Sequence, residues 1–273
     1  MQIKIWGTRG VTVSPGKSTK IYGGNTTCIQ VFSENGNELL VDAGTGIIRR
    51  GKEAKPAPDK RYHILFSHTH LDHISGFVFF LPIQDPESHI TIYSPEGTEK
   101  NLLDIFENLF QEQYSPLRSL KNVAAKIDFQ PLFESEDYII DGFKVSTVLT
   151  DHTTKTLGYR IEADEKSFCM ITDHNARPSV YNDRVLELCK DCDLLMHDAQ
   201  FSDEEYTKRL SYGHSSISLA ISNGISANCR NLLLFHHDPS HEDAYLEKVE
   251  AEIKGKKNDM NISIAKETSL IEV

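Results

Sequence analysis

Three histidines and one aspartate occupy six positions within the segment SHTHLDHISG, residues 67–76. His68 and His70 are two residues apart at the end of an apolar run, so their rings are expected to point to the same side. Asp72 and His73 follow in a turn that leads into a predicted helix. Imidazole nitrogens and carboxylate oxygens are the usual ligands of zinc and also suit manganese and iron. The spacing therefore predicts a metal site, although Asp72 taken alone could also cap the helix.

Four more residues that can ligate a metal come at the ends of other apolar runs. His152 comes shortly after FKVSTVL, Asp173 comes after SFCMIT, and His236 and His237 come directly after NLLLF. The ends of such strands are where binding sites gather in folds built from sheets and helices. We therefore expect these residues to complete the site that begins with SHTHLDHISG.

The apolar runs predict the elements that position these residues, because they alternate or are continuously apolar and end at turn residues. Strands are predicted at residues 2–6, 26–33, 37–44, 62–68, 143–152, 156–163, 167–173, 193–199 and 231–238, the last as the final strand. Helices are predicted at 73–80, at 98–120 up to Pro116, at about 178–190 and at 216–224. Residues 7–25, rich in Gly and Ser, are predicted to form a loop. Two runs of strands with their helices predict an α/β fold of two packed sheets with helices outside, in a single domain over residues 1–273.

The composition limits the classes of function. The chain has 273 residues and a formal net charge of −11 at pH 7. Nucleic-acid binding relies on Lys and Arg to neutralise phosphates, so this charge argues against a large RNA or DNA substrate but not against a small nucleotide. No apolar run approaches the ~18 residues of a membrane span, and no signal peptide is visible. The five cysteines include a single CxxC pair, Cys189 and Cys192, so we expect packed thiols and a reducing cytoplasm.

The chain resembles the metallo-β-lactamase fold hydrolases over nearly its whole length. HTHLDH matches the signature of that family, and LLVDAGTG matches the strand before it, which ends at Asp42. The resemblance implies a four-layer αββα sandwich and two divalent metal ions, with zinc preferred and manganese or iron as alternatives. It implies one metal held by His68, His70 and His152, a second held by Asp72, His73 and His236, and Asp173 as the bridging ligand. His236 is preferred to His237 because the family's ligand matches the first histidine of FHHDP.

Such a metal pair would supply the nucleophile. Two metals bridged by a carboxylate are expected ~3.5–4 Å apart, and the pKa of a water that they share falls towards ~7. That water would attack the substrate, and Asp72 would belong to the catalytic apparatus as well as to the ligands. Asp42 is expected to orient the imidazoles by hydrogen bonding.

The segment LLMHDAQFSDEEYTKRLSYGHSSISLA, residues 194–220, indicates which bond is cut. It is similar to a segment of the phosphodiesterase branch of the family, which includes the tRNA 3′-processing endonucleases. The similarity implies that Asp198 hydrogen-bonds to His214, and that His214 contacts a phosphate oxygen of the substrate and protonates the leaving alkoxide. A positioned proton donor of this kind accelerates such a step by ~10²–10⁴-fold. The alternative is that His214 caps the helix that follows or is simply exposed.

The size of the substrate follows from what separates His152 and Asp173. The tRNA-processing enzymes carry an extended arm, in many of them at this place, whereas here 20 residues separate the two positions and two predicted strands use them. The strings WGTRG, YGGNT and LFHHDP resemble a branch of small cyclic nucleotide phosphodiesterases, among them enzymes that degrade the cyclic pyrimidine signals of the Pycsar defence system. That branch implies a homodimer in which a tyrosine of one subunit reaches the substrate at the other subunit's site. Tyr114 is the candidate, although it could equally be a structural tyrosine at a helix end.

The sequence thus predicts a dinuclear metal-dependent phosphodiesterase that hydrolyses a small nucleotide, most simply a 3′,5′-cyclic mononucleotide. The alternatives are RNA 3′-end processing, hydrolysis of a lactone, lactam or thioester, and a binding or regulatory protein in which the metals are structural. Arg9, in the loop at 7–25, is expected either to contact the anion or to have a structural role. His89 and His174 have no assigned partner and are expected at the surface.

Overall fold

Fourteen strands form two seven-stranded sheets within the residues described by the structure, a computed structural model that covers 1–96, 102–254 and 260–273. The first sheet contains β1 (Gln2–Gly7), β2 (Cys28–Phe32), β3 (Glu38–Val41), β4 (Arg61–Leu65), β5 (His89–Pro95), β6 (Lys126–Leu132) and β14 (Leu270–Glu272). The second contains β7 (Asp137–Ile140), β8 (Phe143–Leu149), β9 (Leu157–Ala163), β10 (Lys166–Ile171), β11 (Leu194–Asp198), β12 (Asn231–Phe235) and β13 (Asn261–Ile264).

Each sheet is antiparallel in one half and parallel in the other. In the first sheet, β14, β1, β2 and β3 pair antiparallel, and β3 to β6 pair parallel. In the second, β7 to β10 pair antiparallel, and β10 to β13 pair parallel. Parallel neighbours bring their carboxyl ends to the same edge of a sheet. Side chains that follow β3 and β4, or β10 to β12, therefore emerge together.

Helices cover the outer face of each sheet. The α-helices of the described residues are α1 (Gly46–Glu53), α2 (Leu71–Ile74), α3 (Leu102–Leu109), α4 (Val180–Cys189), α5 (Asp203–Lys208), α6 (Ile217–Ser226) and α7 (Asp243–Lys254). Buried side chains of α1 and α3 pack on the outer face of the first sheet, and those of α4, α6 and α7 pack on the second. The predicted α/β fold with four αββα layers is confirmed.

The alternation of side chains along the strands explains the layers. Ile3 and Ile5 of β1 point into the space between the sheets, whereas Trp6 packs under the outer helices. In β10, Phe168 and Met170 fill the same central core, and their neighbours face α4. Strands buried on both faces read as continuous apolar runs, and these runs were the signal that located them.

Several elements differ from the predictions. The helix predicted within 98–120 is shorter: residues 98–101 lie outside the described residues, and α3 ends at Leu109, before Pro116. The helix predicted at 73–80 is divided into the short α2 and a 3-10 turn at Phe77–Phe79. Gly76, between them, packs so closely on the backbone of Gly44 that a Cβ would overlap it. The strand β12 is not the last one. The short β13 and β14 follow, and β14 returns to pair with β1 of the first sheet.

None of the helices in the described ranges combines the length and the apolar character that crossing a membrane would require.

The central core gives a test of the layered packing. Phe143 is fully buried between the sheets, whereas Ile139 on the neighbouring β7 is 76% exposed. We expect Phe143→Ala to lower the free energy of unfolding by ~3–5 kcal/mol, since it removes a buried ring and leaves a cavity. Ile139→Ala, the matched control, should change it by less than ~0.5 kcal/mol. Urea unfolding followed by circular dichroism measures both, and equal midpoints for the two variants would contradict the assigned core.

Candidate metal and catalytic site

The candidate residues of both sheets meet at one edge. Asp42 follows β3, His68 lies in the turn after β4, and Asp173 comes two residues after β10. Asp198 is the last residue of β11, and His236 directly follows β12. The parallel halves of the sheets therefore deliver these side chains to a common place, as expected from the sequence.

Three of these residues have a backbone in the left-handed region. The φ angles are 61° at Asp42, 52° at Asp173 and 62° at His236. Residues other than glycine rarely adopt this conformation, and those that do are often found at functional sites, where the strain is part of the arrangement. Here it turns each side chain back towards the site immediately after its strand ends.

The first ligand group consists of His68, His70, His152 and Asp173, whose ligand atoms all lie within 4.8 Å of one another. Asp173 Oδ1 is 3.6 Å from His68 Nε2 and 3.4 Å from His152 Nε2. His152 Nε2 is also 3.2 Å from His70 Nδ1. The structure thus brings together the three histidines predicted for one metal and the predicted bridging aspartate.

The second ligand group consists of Asp72, His73 and His236, which are all buried and also lie within 4.8 Å of one another. Asp72 Oδ2 is 3.3 Å from His73 Nε2 and 3.4 Å from His236 Nε2. Asp173 contributes its other oxygen here, because Oδ2 is 3.2 Å from His73 Nε2 and 3.3 Å from His236 Nε2. Asp173 therefore lies between the two groups with one oxygen towards each.

Fixed acceptors decide which nitrogen of each ring faces the centre. Asp42 Oδ2 accepts from His73 Nδ1 at 2.7 Å, and the carbonyl of Gly213 accepts from His152 Nδ1 at 2.9 Å. Ser67 Oγ donates to Asp42 and therefore accepts from His68 Nδ1 at 3.0 Å. The Nε2 atoms of the three histidines consequently point inward, which is how partners beyond the ligands orient imidazoles at metal sites.

A divalent cation fits the first ligand group. His68 Nε2 is buried, and it has no hydrogen-bond partner in the parts of the chain that are described. Burial lowers the pKa of His68 well below its usual range and also lowers the pKa of His70 and of His152. The rings are therefore neutral at physiological pH, and their lone pairs remain available to a cation.

The second ligand group shows how strongly the site attracts positive charge. Burial disfavours a charge on His73, but Asp72 and Asp173 outweigh it and raise the pKa of His73 well above its usual range. For His236 burial is likewise outweighed, mainly by Asp173, and the pKa rises to about 9. A cation at this position would satisfy the same carboxylates.

The loop after β1 closes over the second group. The backbone N–H of Val11 donates to Asp72 Oδ2 at 2.7 Å, and Val11 has a φ of 65°. A Cβ at Gly10 would overlap the ring of His236, so the close approach of the loop requires glycine there. This role of Val11 could not be predicted from its residue type, because the contact uses only its backbone.

Asp198 and His214 form the predicted pair. His214 Nδ1 donates to Asp198 Oδ2 at 2.7 Å, and both side chains are buried. Asp198 Oδ1 also accepts from the backbone N–H of Gln200 at 3.0 Å, and His214, despite burial that opposes ionisation, keeps the pKa of Asp198 below its usual range. The ring of His214 lies 5.1 Å from that of His152 and 5.2 Å from that of His236, between centroids. It therefore lies beside both ligand groups, and it is Ser216, not His214, that caps α6.

Three other candidates lie elsewhere. His237 turns away from the ligands, and its Nε2 lies 2.9 Å from the carbonyl of Ala265. Arg9 is fully buried and donates to the carbonyls of Gly23 and His241, so the structural role holds. Tyr114 is 72% exposed, beyond the end of α3.

The prediction that His89 and His174 lie at the surface has a different outcome for each residue. His89 is partly exposed, and its Nε2 lies 2.6 Å from Asp128 Oδ2. His174, in contrast, is fully buried and contacts Asn182, because the chain turns inward directly after Asp173. Burial lowers the pKa of His174 to about 3. Its position directly after a buried strand indicated burial, but the prediction placed it at the surface because no partner for it could be assigned from the sequence.

The family model described as the beta-lactamase superfamily domain matches residues 37–237. Ribonuclease Z of Nanoarchaeum equitans (strain Kin4-M) is 23% identical, and the match covers 78% of this chain and 78% of that protein. Among solved structures, the metallo-beta-lactamase fold protein YhfI from Bacillus subtilis is similar with a TM-score of 0.72 and 19% identity, over 99% of this chain and 98% of that one. A diphosphatase from the PhnP family gives a TM-score of 0.71 and 18% identity, over 100% and 97% of the two chains.

The structural similarities show the fold, and the family model covers most of the chain together with all seven candidate metal ligands. The prediction of a metal-dependent hydrolase with a metallo-β-lactamase fold is confirmed at this level. The chain therefore belongs to the β-lactamase superfamily.

Proposed function

We propose that the chain is a phosphodiesterase that uses two divalent metal ions to hydrolyse a small nucleotide, most simply a 3′,5′-cyclic mononucleotide. The observation that carries the proposal is the Asp198–His214 hydrogen bond of 2.7 Å beside both ligand groups. An alkoxide is a poor leaving group, so a phosphodiesterase needs a proton donor placed next to the metals.

The metals would be held by the two ligand groups, and when bound they would activate a water and neutralise charge on the phosphate. Asp173 would be shared between them, because its two oxygens face different groups. Zinc fits this set of nitrogen and oxygen ligands, and manganese or iron are the alternatives.

The residues of the chain account for the remaining steps. Asp198 accepts a hydrogen bond from the Nδ1–H of His214, so Nε2 carries the proton that passes to the leaving oxygen of the sugar. Asp42 holds His73 in the orientation that the second ligand group requires. Burial of both pairs excludes water, so the proton is delivered to the substrate and not to solvent.

The size of the substrate is inferred from the surroundings of the site. Strands β9 and β10 take up 13 of the 20 residues between His152 and Asp173, and short turns take up the others, so no arm that could grip an RNA body occurs there. Three apolar side chains near site residues are more than half exposed. Leu71 lies between His70 and Asp72, Val11 contacts Asp72 through its backbone N–H, and Tyr212 is two residues before His214. Such side chains suit a nucleobase better than a phosphate backbone.

RNA 3′-end processing is the second candidate, and the observation that favours it is the similarity to proteins named ribonuclease Z, at 23% and 24% identity for those of Nanoarchaeum equitans and Archaeoglobus fulgidus. The net charge of −11 makes a large polyanion the less favoured substrate.

We also propose that the chain forms a homodimer, in which the exposed Tyr114 would contact the substrate in the partner's site.

A substrate screen separates these candidates. Metal-loaded protein is expected to hydrolyse at least one 3′,5′-cyclic mononucleotide faster than it cleaves a precursor tRNA at equal concentrations. Chromatography of the products measures both reactions. Cleavage of the tRNA alone would establish the second candidate, and no cleavage of either these substrates or bis(p-nitrophenyl) phosphate would reject the phosphodiesterase.

His214→Ala should keep both metals and lose ~10²–10⁴-fold in kcat on a cyclic nucleotide, since it removes the proton donor. His89→Ala is the matched control, because His89 also pairs with a carboxylate, Asp128, on the surface. Steady-state kinetics and metal analysis check both variants. Wild-type turnover by His214→Ala would remove the general-acid role.

The metal content follows from the two ligand groups. Protein treated with a chelator and refilled with zinc should bind about two ions per chain, and His73→Ala about one, because the second group loses one of its three ligands. Inductively coupled plasma mass spectrometry gives the ratio, with His89→Ala again as the control. A ratio of one in the unmodified protein would contradict the paired site.

A further inference from the structure

Four buried polar side chains form a continuous network behind Asp198, away from the ligand groups. They are His174, Asn182, His197 and Asn223, and none is more than 7% exposed. The amides of Asn182 and Asn223 pair with each other, since each Nδ2 donates to the other's Oδ1, at 3.2 Å and 2.8 Å. His174 is hydrogen-bonded to Asn182 on one side of this amide pair, and His197 is hydrogen-bonded to Asn223 on the other side.

The hydrogen bonds permit a single arrangement of protons. His174 Nε2 donates to Asn182 Oδ1 at 2.9 Å, because His174 Nδ1 already accepts from the backbone N–H of Asp151. His197 Nε2 accepts from Asn223 Nδ2 at 3.0 Å, so the proton of His197 is on Nδ1. Both rings are neutral, and every ring nitrogen and amide group has a partner.

The network is attached to three segments that carry site residues. At one end of the network, the hydrogen bond from the backbone N–H of Asp151 to His174 Nδ1 connects two turns, because Asp151 precedes His152 and His174 follows Asp173. Both turns carry residues of the first ligand group. The backbone N–H of His174 donates to Asp198 Oδ2 at 3.3 Å. At the other end, His197 Nδ1 donates to the carbonyl of Asp198 at 2.7 Å. Asp198 is therefore held through both its carboxylate and its backbone.

A core needs no such network for stability alone. Apolar side chains of similar shape would fill the same volume without the desolvation cost of four polar groups, and such replacements are often neutral or stabilising. A fully satisfied polar network instead imposes one geometry on what it holds. The groups held here are the carboxylate that orients His214 and the turns that carry His152 and Asp173.

We propose that His174, Asn182, His197 and Asn223 are positioning residues for the Asp198–His214 pair, which they keep aligned for proton transfer to the leaving oxygen. The proposal rests on the proposed function, because it assumes that His214 protonates a leaving group. None of the four is placed to touch the substrate, and all of them act through Asp198.

The test compares two leaving groups. His197→Phe removes the donor to the Asp198 carbonyl, and His197→Asn restores an amide N–H close to the position of Nδ1. The substrates are a cyclic nucleotide, whose leaving alkoxide needs a proton, and the p-nitrophenyl ester of thymidine 5′-phosphate, whose leaving phenolate does not. We expect His197→Phe to lower kcat by ~10-fold or more on the first and by less than ~3-fold on the second, with unchanged KM and metal content. His197→Asn should recover most of the loss.

Equal losses on both substrates, or no recovery in His197→Asn, would reduce the network to a structural role and overturn the proposal. Should His197→Phe fail to fold, Asn182→Ser replaces it, because it breaks the amide pair and leaves room for a water. The same difference between leaving groups is then required. Failure of the proposed function is recognised separately, since the unmodified protein would then not hydrolyse the cyclic nucleotide.

Discussion

The carboxylate of Asp173 connects the two halves of the site. Its strand, β10, belongs to the second sheet, whereas the segment that carries His68 and His73 follows β4 of the first. Thr172 Oγ1 donates to its Oδ2 at 2.6 Å, and Thr150 Oγ1 donates to its backbone carbonyl at 2.8 Å. A shift of this side chain would remove the carboxylate that the two ligand groups share. The position of Asp173 relative to His68 and His73 depends on how the two sheets pack, so this packing sets the geometry of the site.

Support for the site comes from behind the ligands on both sides. Asp42 and Ser67 orient rings of the first sheet, and Asp198 orients His214 on the second. All of these groups are buried, so each charge or dipole acts in a medium of low dielectric constant, where it is stronger than in water. The same burial makes an unpaired group costly, which favours a cation beside His68 Nε2, a buried nitrogen with no hydrogen-bond partner among the described residues.

The sequence predicted the fold and the membership of both ligand groups, because these depend on local signals. Continuous apolar runs marked the buried strands, and a cluster such as HTHLDH is rarely compatible with anything but a metal site. It could not predict what depends on distant backbone. The donor at Val11, the acceptor at Gly213 and the burial of His174 all come from chain segments that only tertiary packing brings together. Strands β5, β6, β7, β13 and β14 were missed. In each of them except β5 at most one residue is buried, so the apolar pattern is weak.

The left-handed residues at the strand ends have a consequence for how related sequences diverge. Glycine adopts this backbone without strain, whereas other residues carry a penalty of ~1 kcal/mol or more. The left-handed backbone at Asp42, Asp173 and His236 therefore carries a cost in folding stability. A homologue released from selection for catalysis would gain stability by drifting to glycine or asparagine at these positions. The identity of these three residues therefore distinguishes homologues that keep the chemistry from those that keep only the scaffold.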